Sequence, residues 1–90
     1  MNKHIAVVIT GNQDEALRMS VGLTLADDEV DIFFLDKKLK KNKDNELNID
    51  TGKELGINFY STCEQSDDVN KISSHVLAKK LLNYDHVLPY

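Results

Sequence analysis

Ninety residues, 41% hydrophobic and 29% charged, describe one small globular domain over 1–90 and exclude a disordered chain. Fifteen acidic against eleven basic residues leave a net charge of −4. That balance argues against a nucleic-acid binder, whose ligand wants a cationic face, and against an anionic membrane surface.

The single cysteine, Cys63, cannot close an internal disulfide. No stretch approaches the roughly 20 apolar residues of a membrane span. Ile5 to Ile9 is too short for the apolar core of a signal peptide. The expectation is a cytoplasmic protein. Small domains often gain stability by oligomerising, so self-association is kept open.

Ile5-Ala6-Val7-Val8-Ile9 is a continuous, mostly β-branched run, suited to a strand buried on both faces of a parallel sheet. Thr10-Gly11-Asn12 ends it as a turn. A helix is expected over about Asp14 to Ala26, with Asn12 as N-cap and Asp14 and Glu15 in the first turn, where the helix dipole favours acids. Leu17, Val21, Thr24 and Leu25 line one face and Ala16, Met19, Leu23 and Ala26 an adjacent one. This wide apolar arc suits either deep burial or a subunit contact. After the polar break Asp27-Asp28-Glu29, Val30 to Leu35 reads as the second strand. The spacing fits a right-handed strand–helix–strand unit.

Asp36 to Asn48 reads as a solvated loop. Lys37, Lys38, Lys40, Lys41 and Lys43 crowd into it, and an anion-attracting patch is the functional alternative. A short helix around Asp50 to Leu55 ends at Gly56, a natural residue just past a helix end. Ile57 to Ser61 is the third strand, and Cys63 follows in a loop. Ser66 is the expected N-cap of a last helix running to about Leu82, with Val69, Ile72, Val76, Leu77 and Leu81 as its buried stripe. Asp85 to Leu88 is the fourth strand, with pairing fading at Pro89.

This order predicts an α/β domain, a three-layer α/β/α sandwich around a four-stranded parallel sheet. Functional groups in such sheets stand beyond the carboxyl ends of the strands, here at Gly11-Asn12, the lysine loop and Cys63. A helix starting just past Cys63 would favour its thiolate, the nucleophilic form, while Glu64, Asp67 and Asp68 oppose it. The composition alone favours an inert thiol. His4, His75 and His86 have no metal-ligand spacing with Cys63 and read as surface or satisfied histidines. Thr10-Gly11-Asn12-Gln13 lacks the glycine pattern of a phosphate-binding loop.

The succession of pieces resembles the DsrE/DsrF/TusD group of small sulfur-relay proteins. It consists of the apolar first strand, the helix through Asp14-Glu15-Ala16-Leu17-Arg18 and Gly22-Leu23-Thr24-Leu25-Ala26, and the strand Glu29-Val30-Asp31-Ile32-Phe33-Phe34-Leu35. Glu54-Leu55-Gly56-Ile57-Asn58-Phe59-Tyr60 and the closing Asp85-His86-Val87-Leu88 complete it. The resemblance implies a strand order 3-2-1-4, with the last helix on the face opposite the first two. It implies that Cys63 carries persulfide sulfur between a donor and an acceptor protein, with no cofactor or metal, and that the chain forms a trimer or hexamer. Two other readings stay open: a non-catalytic structural subunit of such an oligomer, and a small-ligand binder at the carboxyl edge of the sheet.

Overall fold

The computed structural model describes residues 3–11, 13–25, 29–35, 43–63 and 69–90. In chain order the elements are β1 (His4–Ile9), α1 (Gln13–Leu25), β2 (Glu29–Phe34), α2 (Lys43–Glu54) and β3 (Asn58–Ser61). β4 (Asn70–Lys71), α3 (Ser74–Leu81) and β5 (His86–Pro89) follow. All pairings are parallel, in the order β4-β3-β2-β1-β5. The fold is thus a small α/β domain, and the expected four-stranded sheet of order 3-2-1-4 is corrected to five strands.

The correction has one source. The stripe Val69, Ile72, Val76, Leu77 was expected on a single helix. Val69 and Ile72 are buried, but they flank the two-residue strand β4. Ile72 N donates to Ser61 O at 2.8 Å, so this stretch spends its backbone hydrogen bonds on β3. α3 starts only at Ser74, capped by Ser73, whose Oγ accepts from Val76 N at 3.2 Å. Apolar residues three and four apart fit a helix face, but a short buried run gives the same signal. The expected N-cap Ser66 lies outside the described residues, as do Asn12 and Lys37 to Lys41. Lys43 opens α2, which begins seven residues before the expected short helix.

Strand alternation divides the core in two. Ile5, Val7 and Ile9 of β1 and Val30, Ile32 and Phe34 of β2 face α1 and α2, where they meet Leu17 and Ile49. Ala6, Val8 and Phe33 face the other way, onto Ile72 and Leu77. α3 therefore lies opposite α1 and α2. β1 to β4 step outward in one direction and β5 returns to the far side of β1, and a right-handed crossover in the reverse direction must use the opposite face.

Pro89 does not end the pairing as expected. It lies opposite Val8, and Tyr90 N donates to Val8 O at 2.7 Å. By alternation, the nitrogen of Pro89 then points to the open edge, where a missing N–H costs nothing. Among the described residues, no helix is long and apolar enough to cross a membrane.

Candidate functional site

The carboxyl ends of the strands gather Thr10, Gly11, Leu35, Thr62, Cys63 and Tyr90 along one edge. Cys63 is exposed there, two residues past β3. Its neighbours fix the backbone: Thr62 N donates to Phe34 O at 3.1 Å, and Cys63 N donates to Ser61 Oγ at 3.1 Å. Ser61 is itself buried, so the turn presenting the sulfur is tied to the core. The helix expected immediately after Cys63 is not where the sequence put it. α3 begins at Ser74, so its N-terminus is eleven residues along the chain from Cys63.

The direction of the crossovers, not of the strands, reverses between β1 and β5, the place where open parallel sheets usually take a ligand. Here Thr10 N and Gly11 N both donate to Tyr90 O, at 3.3 and 3.1 Å, so the chain itself occupies that crevice. A cleft of about 430 Å³ opens near the same edge between α1 and α2. Asp14, Glu15 and Asp44 outnumber Arg18 in its lining, a balance that disfavours an anion.

The densest polar chemistry is at the opposite, amino edge. Asp31 is the polar interruption in β2, directed by alternation to the α3 face, and its side chain is only 7% exposed. Three donors from three segments converge on it. His4 Nε2 of β1 lies 3.2 Å from Oδ2, Asn58 Nδ2 of β3 donates to Oδ1 at 3.0 Å, and the Tyr84 hydroxyl, just beyond α3, donates to Oδ2. A buried carboxylate is costly unless it is so compensated.

Tyr84 also packs against His4, with ring centroids 4.3 Å apart and planes tilted by 55°, and meets Phe33 edge-on. Burial, then the hydrogen bond to Asp31, then the charges of Asp31 and Tyr60 push the Tyr84 phenol well above its ordinary range, so it remains a donor. His4 is held from a second side: its N donates to Asp85 Oδ2 at 2.9 Å, and Asp85 N donates back to His4 O at 2.8 Å.

Three members of this cluster, His4, Asp31 and Asn58, line a cavity of about 490 Å³ at the amino ends of β1, β2 and β3. Glu29 and Lys80 add polar groups to its lining, and Val30, Leu55 and Ile57 apolar ones. Of the three histidines, then, His4 belongs to a built site, while His75 and His86 are exposed. The sequence reading missed Asp31, Asn58 and Tyr84. The available signal was a lone carboxylate inside an otherwise apolar strand. Among the described residues no group of three or more His, Cys, Asp or Glu is arranged to hold a metal ion.

No protein-family model, no curated protein and no solved structure matches the chain.

Proposed function

We propose that this domain is a cytoplasmic sulfur carrier, in which Cys63 holds sulfane sulfur as a persulfide and passes it to a partner protein. The observation that carries the reading is an exposed thiol at the carboxyl edge of an all-parallel sheet, on a turn pinned to β3 and to Phe34 O. The order of sequence pieces that resembles the DsrE/DsrF/TusD group supports it as well. A lone thiol that must stay reduced suits a reducing compartment.

The chemistry is thiol exchange and balances without a cofactor. The Cys63 thiolate attacks the outer sulfur of a persulfide donor. A bond forms between Cys63 Sγ and that sulfur, the donor's S–S bond breaks, and the donor leaves as a thiolate. An acceptor thiolate then attacks the outer sulfur on Cys63, taking it and releasing the Cys63 thiolate. Treatment with a persulfide donor should load the native protein and leave Cys63→Ser unloaded, with the two equally stable. Equal loading of both would end the proposal.

A second reading, the structural subunit of an oligomer, is favoured by a specific surface. Val87 and Pro89 lie opposite Ala6 and Val8 and so share the α3 face of the sheet. A helix about 10 Å across covers roughly two strands spaced ~4.8 Å apart. α3 is the only helix on that face among the described residues, and it packs over β1 and β2. Val87 remains 43% exposed, and Leu82 at the end of α3 is 85% exposed. Sulfur carriage and self-association through this face are compatible, because Cys63 follows β3, which β2 and β1 separate from β5.

A further inference from the structure

We propose that the amino-edge cavity is a binding site for a small zwitterion, an α-amino acid with an aliphatic side chain. It is separate from Cys63, which lies at the opposite end of β3.

Four observations carry this. At about 490 Å³ the cavity is in the range of small-molecule sites and exceeds one amino acid in volume. Its walls differ in kind. Leu55, 36% exposed, gives it an aliphatic surface, backed by the edges of Val30 and Ile57, which belong to the apolar core under α1 and α2. Two residues of opposite charge line the same cavity, Glu29 and Lys80, and the Lys80 ammonium stands 5.3 Å from the centre of the Tyr60 ring, itself part of the lining. A ligand carrying an ammonium, a carboxylate and an apolar chain complements all three features.

The fourth observation is the state of Asp31. Both its oxygens are engaged by His4, Asn58 and Tyr84, so it serves as a fixed anchor and leaves Glu29 as the other acid in the lining. The side chains it holds are set in place before any ligand arrives. The His4 ring, 39% exposed, and the Asn58 amide thus present oriented polar atoms at low entropic cost. Thr24 adds a hydroxyl oxygen whose hydrogen is already donated to Ser20 O at 3.0 Å, leaving it an acceptor. A sheet end that only needed closing would be filled at least as well by apolar side chains, since buried ionic clusters are a poor source of stability.

The test is a titration of the ¹⁵N-labelled chain, followed by amide shifts, with L-leucine, butylamine and pentanoate as probes. Leucine should move the amides of His4, Asn58 and Lys80 in a saturable way, with a dissociation constant of about 1 mM or below. Butylamine and pentanoate, each lacking one charge, should bind at least about fivefold more weakly. So should leucine to Glu29→Gln and to Lys80→Met, the loss expected for one partly exposed ion pair. Glu29 is exposed and Lys80 half-buried, so both changes should leave the fold intact, which the ligand-free spectra check. Cys63→Ser should bind leucine like the native chain, whatever its sulfur chemistry. Absence of saturable shifts by about 10 mM leucine, equal binding of the three probes, or shifts confined to residues outside the cavity would each overturn the proposal. The polar cluster would then be only a pin between β1 and the chain beyond α3.

Discussion

Asp31 shows how one residue shapes this domain. Its neighbours Val30, Ile32, Phe33 and Phe34 are all buried and apolar, and the carboxylate among them holds three chain segments together. Asp31→Ala should cost about 2–4 kcal/mol in urea unfolding, because it strands the groups that now donate to it. Tyr84 gives a pH signature. Its phenol has a higher proton affinity in the folded protein than in the unfolded chain. The stability this contributes is complete below the free phenol value of about 10 and is lost as the pH rises above it. Between about pH 8 and pH 11 the native protein should therefore lose more stability than Tyr84→Phe does. Parallel losses in the two proteins would contradict that role.

At the scale of elements, two glycines of α2 and its end separate packing from conformation. A Cβ on Gly52 would stand 2.9 Å from Phe59 Cζ, and the Phe59 ring is buried and cannot swing away. Gly52→Ala should therefore destabilise by about 1–2 kcal/mol even though alanine is the better helix former. Gly56 has open space around it but a φ of +89°, so Gly56→Ala should cost about 1 kcal/mol through backbone strain alone. Thermal or urea unfolding of the two variants checks both, and gains in stability would contradict the packing described.

Gly56 was legible in the sequence, as were α1, β1, β2 and β3, because each is a long or strongly patterned signal bounded by turn residues. β4 was not. Two residues leave no period, and its flanking Val69 and Ile72 mimic a helix stripe. The start of α2 was hidden by its lysines and acids, which look like a loop when only one face, Asn45, Ile49 and Gly52, is buried. Of the functional residues, Cys63 was visible as the only thiol. The Asp31 cluster was not, because its members come from positions 4, 31, 58 and 84 and meet only through the sheet order.

At the scale of the whole molecule, the five strands are covered unequally. α1 and α2 shield one face, while α3 leaves β5 partly bare on the other. If copies of the chain meet there, Val87→Asp should convert an oligomer to a monomer in light scattering coupled to size exclusion, with the far-ultraviolet spectrum unchanged. A native protein that is already monomeric at high concentration would remove the structural-subunit reading.

The most direct test of sulfur carriage is intact-mass spectrometry of the native chain after exposure to a persulfide donor, repeated on Cys63→Ser. The account predicts a gain of one sulfur atom on the native chain alone, lost on reduction and transferred when an acceptor thiol is added. No gain on the native chain, or the same gain on the serine variant, would contradict it.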